Sequence, residues 1–122
     1  MAFVDGAGRR LTGGVRGYTL TFPAGQIPQA KRFWSVTAYT PGFIELVPNA
    51  ARKYLVASYT PGLTKNPDGS ITIYVAPTRP VNAPMANWLP VPRGPFEVAL
   101  RSYGPTGNTA NPNYAPPALT AR

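Results

Sequence analysis

Proline constrains this chain more than any other residue. Sixteen prolines and 12 glycines are spread over 122 residues. Long helices do not survive that density, because an internal proline removes an amide donor and clashes with the preceding turn, and an internal glycine costs about 1 kcal/mol against alanine. The length fits one domain, which buries roughly two-thirds of its unfolded surface. With a hydrophobic fraction of 43%, one core and an all-β architecture are expected.

The chemical inventory is small. There is no cysteine and no histidine, so disulfides, thiolate metal sites, the commonest general base and every Ser-His or Cys-His nucleophile are excluded. The only carboxylates are Asp5, Glu45, Asp68 and Glu97. Glycosidase chemistry needs two acids roughly 5 to 9.5 Å apart across a sugar. Glu45 and Glu97 are the only strand-borne pair, and each is expected to meet an Arg or Lys instead. The run "GAGRRLTGG" from Gly6 has no strand before it and no helix after it, so it is read as a loop or turn and not a phosphate cradle. No catalytic residue, metal or cofactor is expected, and the chain is read as a non-enzyme.

The net charge of +8 invites a nucleic-acid reading, since clustered cations neutralise phosphates and release counterions. The basic residues are instead dispersed: Arg9, Arg10 and Arg16, then Lys31 and Arg32, then Arg52 and Lys53, then single residues. They suit solvated strand edges and turns, and nucleic acid is not expected. No apolar run approaches the roughly 20 residues that span a bilayer. The start, "MAFVDGAGRR", has neither a basic leader nor an apolar signal core.

Alternation marks the strands. "YTLTFPAG" sets Tyr18, Leu20 and Phe22 on one face and ends at Pro23. In "KRFWSVTAYT", Trp34, Val36 and Ala38 share one face, with Phe33, Ser35, Thr37 and Tyr39 on the other, which predicts a strand buried on one side and partly covered on the second. Phe43 to Val47 reads as another strand, and Tyr54-Leu55-Val56 as extended chain. In "KNPDGSITIYVAP", Pro67 and Asp68-Gly69 form a turn, with Asp68 bonding its own backbone, and Ile71, Ile73 and Val75 alternate into a strand. "PFEVALRSYG" sets Phe96, Val98 and Leu100 against Glu97, Ala99, Arg101 and Tyr103. The prolines of "NWLPVPRGPF" make an extended strap that leads Phe96 into the core and lays Trp88 across an edge. No crossover helix is indicated, so an antiparallel sandwich or barrel is expected. The domain is drawn over residues 1–104, with an extended Pro-rich tail over 105–122, interrupted by Pro112, Pro116 and Pro117, that either hugs the body or reaches a neighbour.

In order, "FVDGAGRRLTG", "YTLTFPAGQIP", "RFWSVTAY", "NPDGSITIYV", "NWLPVPRGPFEVALRSYGP" and "YAPP" resemble the bacterial domain-of-unknown-function 1214 family. The resemblance is carried most specifically by Phe33-Trp34-Ser35, by Asn66 to Ser70 and by the Asn-Trp-Leu-Pro segment with its Leu-Arg-Ser-Tyr continuation. It implies an antiparallel β-sandwich of jelly-roll type, usually the C-terminal partner of a second domain in exported or cell-envelope proteins, with no established chemistry. No partner domain stands in these 122 residues, so the sequence is read as either a stand-alone version or a fragment; it departs from the family pattern in having "LVASYTPG" where a charged turn often follows Tyr54, and in having Tyr114 where a tryptophan is usual.

The function expected is therefore structural: a module that self-associates or docks on a partner domain in the envelope or outside the cell. The alternative is a carbohydrate or small-ligand module using surface aromatics. Trp88, Arg101, Tyr103 and Tyr114 are the candidate ligand or interface contacts. The expected partners are further copies or a partner domain, with a glycan under the alternative.

Overall fold

The computed structural model describes residues 11–12, 14, 16–43, 45–49, 51–110, 114 and 117–122. Asp5, Arg9, Arg10, the glycine run from Gly6 apart from Leu11, Thr12 and Gly14, and Pro112 and Pro116 lie outside the described residues.

Among the described residues seven strands form two sheets: β1 (Tyr18–Phe22), β2 (Ala30–Tyr39), β3 (Leu55–Ala57), β4 (Ile71–Ala76), β5 (Trp88–Pro90), β6 (Glu97–Pro105) and β7 (Thr120–Ala121). One sheet runs β5-β4-β1-β7 and the other β3-β2-β6. The all-β expectation holds. Register explains the core: Tyr18, Leu20 and Phe22 stand opposite Val75, Ile73 and Ile71, so the apolar sets of β1 and β4 share one face. Across the core, Val36 pairs Leu100 and Ala38 pairs Val98, and all four are buried. Two ring contacts join the sheets, Phe22 to Trp34 at 5.6 Å and Tyr18 to Phe96 at 6.1 Å. Burying each such side chain contributes about 1.5–3 kcal/mol.

The second face of β2 is also shielded, since Ser35 and Thr37 are buried beside Ala57 and Ala99. The turn before β4 forms as its residues dictate. Gly69 sits at φ +88, its N–H donates to the Asn66 carbonyl, and the Asn66 N–H donates to the Ser70 carbonyl at 2.8 Å.

Three expectations need correction. The β4–β5 pair is parallel, Tyr74 opposite Trp88 and Val75 opposite Leu89, so the first sheet is mixed and not antiparallel throughout. The connection over residues 77–87 carries the chain back before pairing it, as parallel strands require. The described residues of the stretch Phe43 to Val47 do not make a strand. A 3₁₀ turn at Pro41–Phe43 and a single bridge from Tyr39 to Leu46 take its place, because the Thr40 hydroxyl accepts the Glu45 N–H and the Thr40 N–H donates to the Glu45 carbonyl.

The third concerns the end of the chain. The segment from Pro105 is not simply extended: a helical turn, α1 (Gly107–Ala110), follows β6. Leu119 is fully buried, and β7 pairs with β1 through Tyr18–Ala121 and Thr19–Thr120. One buried leucine and two paired residues suffice to return the segment to the body.

Candidate functional site

Strands β2 and β6 pair Phe33 with Tyr103, which puts both rings on the side of the sheet facing away from Trp34. The rings pack at 4.4 Å with a tilt of 32°, and Tyr59, from the turn after β3, meets Phe33 edge-on at 5.1 Å. Tyr59 is 59% exposed and Tyr103 39%. Two strands and one turn thus build an aromatic ridge that solvent reaches.

Grooves adjoin both members of the stacked pair. One, of ≈ 420 Å³, is lined by Arg101, Ser102, Tyr103, Pro105, Thr109 and Tyr114. The Arg101 guanidinium lies over the Tyr39 ring at 5.5 Å, a cation–π contact. The Tyr114 hydroxyl donates to the Gln26 carbonyl at 3.2 Å, and burial pushes the phenol's pKa up. Ser102 Oγ is buried in this groove with no hydrogen-bond partner among the described residues. The other groove, of ≈ 470 Å³, is lined by Gln29, Arg32, Phe33, Ser58, Thr106 and Gly107, among others. Its donors are neutral side chains and one guanidinium.

Of the four residues singled out from sequence, the fold brings Arg101, Tyr103 and Tyr114 to one groove. Trp88 is elsewhere, on edge strand β5 of the other sheet, half-buried, with its indole N–H donating to the Ala76 carbonyl at 2.9 Å. That bond makes it an edge fastener. Tyr59, one of the tyrosines that the aromatic-binding alternative draws on, joins Tyr103 through Phe33, while nothing in the sequence singles out Phe33, Arg32 or Gln29 as a contact. The alternation of β2 does mark Phe33 as outward-facing, which is the one signal that points to it.

The described carboxylates are spread among other tasks. Asp68 Oδ1 accepts the Ser70 hydroxyl at 2.6 Å and the Ser70 N–H at 2.9 Å, and those bonds hold its pKa below the usual carboxylate range. Glu97 Oε1 accepts the Gly42 N–H at 2.9 Å, where a cation was expected. Glu45 lies in the exposed loop after the Pro41–Phe43 turn. The Lys53 ammonium donates to the Met85 carbonyl, and burial lowers its pKa. Among the described residues no group of three His, Cys, Asp or Glu comes together to hold a metal, and no helix is long and apolar enough to cross a membrane.

Comparison with known proteins agrees with the fold. The crystal structure of the VPA0106 protein from Vibrio parahaemolyticus superposes with a TM-score of 0.83 at 28% identity, covering 100% of this chain and 30% of that one. The chain therefore spans about a third of the length of that relative. No curated protein matches. The profile of a family described as a protein of unknown function, DUF1214, matches residues 1–107, and with the ordered motifs and the shared fold this chain belongs to the DUF1214 family.

Proposed function

We propose that the chain is a non-enzymatic β-sandwich module of jelly-roll type that associates with further polypeptide, a second copy or a partner domain, in the cell envelope or outside the cell. One observation carries this reading: the same fold occupies 30% of the Vibrio chain, so in that protein it stands beside more than twice its own length of other polypeptide. The location rests on the family resemblance. The absence of an activity is supported by how the acids are employed, Asp68 in a turn and Glu97 on a backbone amide.

The connection between β4 and β5 offers apolar surface for such an association. Val81 is 91% exposed and Met85 55%, and the bond from Lys53 holds Met85 in place. Sedimentation velocity from micromolar to millimolar chain tests the second-copy arm, with association expected to weaken in a Val81→Glu/Met85→Glu variant. Photo-crosslinkers at positions 81 and 85, in the cell that makes the protein, test the partner-domain arm. A strict monomer that crosslinks to no polypeptide removes the reading.

A second reading, ligand binding by surface aromatics, is supported by the Phe33–Tyr103–Tyr59 ridge between its grooves. Retention of the chain on immobilised polysaccharide, lost in Tyr103→Ala with the fold intact, is the expected result.

A further inference from the structure

We propose that the ridge and its two grooves bind an acidic polysaccharide, with sugar faces on the Phe33 and Tyr103 rings and uronate carboxylates on Arg32 and Arg101. The proposal rests on the ligand-binding reading and names its ligand class.

Three features converge. The first is the platform. Phe33 and Tyr103 stack on one another, 4.4 Å between centroids, so the pair offers the exposed part of the Tyr103 ring and the ring edges to solvent, and a pyranose can lay its apolar C–H face there while its hydroxyls point sideways. The edge-on contact from Tyr59 supports Phe33 from the side, so the platform is held before any ligand arrives.

The second is the set of neutral donors. Gln29 commits its side-chain carbonyl to the Asn108 N–H at 2.8 Å, which fixes the carboxamide and leaves its NH₂ as a donor at the groove. Ser58 Oγ accepts the Trp34 N–H at 3.3 Å and keeps its own proton to give. With Thr106, these line the groove beside Phe33. Oriented amide and hydroxyl donors suit sugar hydroxyls, where a phosphate backbone would call for cations.

The third is charge. Each groove holds one arginine, Arg32 in one and Arg101 in the other, and among the described residues neither guanidinium has a carboxylate partner. Arg101 stands opposite Ser35 on β2, while Arg32 lies in the stretch between Ala30 and Phe33 where the β2–β6 register shifts, so the two cations are set apart by several residues of strand and by the irregularity between them. One small acid does not bridge that separation. A polymer carrying carboxylates at intervals reaches both cations while its rings cross the ridge. Single-stranded nucleic acid also pairs stacking with arginine, but it is held by a continuous cationic track, and here two cations stand among neutral donors.

The test is calorimetric titration of the full chain with a galacturonate hexamer, with cellohexaose as the neutral probe and a single-stranded oligothymidylate as the phosphate probe. The galacturonate hexamer is expected to bind, cellohexaose to bind more weakly or not at all, and Arg32→Gln and Arg101→Gln each to weaken galacturonate binding about tenfold, the size of one lost charge-assisted hydrogen bond. Tyr103→Ala weakens both sugars, and Trp88→Phe changes neither. A wild-type far-ultraviolet circular dichroism spectrum and a cooperative melting transition above the titration temperature establish that each variant is folded. If cellohexaose binds as tightly as galacturonate and the arginine variants behave as wild type, the acidic class is overturned while ligand binding stands. Tighter binding of the oligothymidylate, falling steeply with salt, overturns the polysaccharide in favour of nucleic acid. If no probe binds, both the proposal and the reading beneath it fall.

Discussion

The side-chain carbonyl of Gln29 accepts the backbone N–H of Asn108 at 2.8 Å, and a β-carbon on Gly107 would lie only 1.9 Å from that oxygen. Gln29 also donates its N–H to Thr109 Oγ1 and accepts the Thr106 N–H on its carbonyl. One residue before β2 thereby fastens the start of the C-terminal segment. Gly107 is at φ +49, so Gly107→Ala adds left-handed strain of about 1–2 kcal/mol and expels the Gln29 side chain, worth about 1 kcal/mol more. Urea unfolding should show a loss near that sum, and Gln29→Ala should lose only the smaller part.

Asn87 is buried and donates from Nδ2 to the carbonyls of Thr64 and Thr72 while its Oδ1 accepts the Thr64 N–H, at 2.9, 2.9 and 3.0 Å. It joins the loop before β4, β4 itself and the start of β5. Asn87→Ala leaves three backbone groups short of a partner, each costing about 1–3 kcal/mol if water does not reach it. A loss of about 3 kcal/mol is expected in chemical denaturation. Trp88→Phe beside it forfeits one indole bond and should cost about 1 kcal/mol.

Leu119 is buried in the core cluster although it lies three residues from the end of the described chain. Leu119→Ala is expected to cost about 2–5 kcal/mol, the range for a leucine removed from a packed interior. Hydrogen exchange should report faster opening at Thr19, whose strand is paired by β7. A loss below about 0.5 kcal/mol, the size of an ordinary surface change, would show that the C-terminal segment does not seal the core in solution.

Asp68 contributes to the acid limb of stability. Its pKa is lowered first by the Ser70 hydroxyl and then by the Ser70 N–H. A carboxylate depressed in the folded state contributes stability that is fully present above its unfolded pKa, about 3.9, and is lost as pH falls through the folded value. Melting temperature should therefore drop below about pH 4, and the drop should be shallower in Asp68→Asn. The group is solvent-exposed, so the effect is expected to be small and to shrink with added salt. An unchanged acid limb in that variant would contradict it.

What could be read from the sequence was local. The alternation of Phe96, Val98 and Leu100, the inward set of β1 and the Asp68 turn all depend on near neighbours, and each stands in the structure as its pattern indicates. Pairing was not local. Nothing in "NWLP" distinguishes a strand that joins β4 in parallel from one that joins another strand antiparallel, because that choice lies in the path of residues 77–87. Leu119 is a single apolar residue in a stretch without period, so no pattern marks it as core. The ridge escaped for the same reason: Phe33, Tyr59 and Tyr103 become one surface only once β2 is known to pair with β6.

The pairing of Thr19 with Thr120 bears on how the molecule is made. During synthesis, β1 emerges before its partners, and the strand that covers its outer side is made after the other described strands. Between those two events the nascent chain carries an apolar strand with an open flank and a core lacking Leu119, the condition in which unfinished β-proteins stick to one another. Whatever attends the nascent chain must hold that flank until residues 119–121 have emerged, so slow translation between β6 and β7 would lengthen the wait.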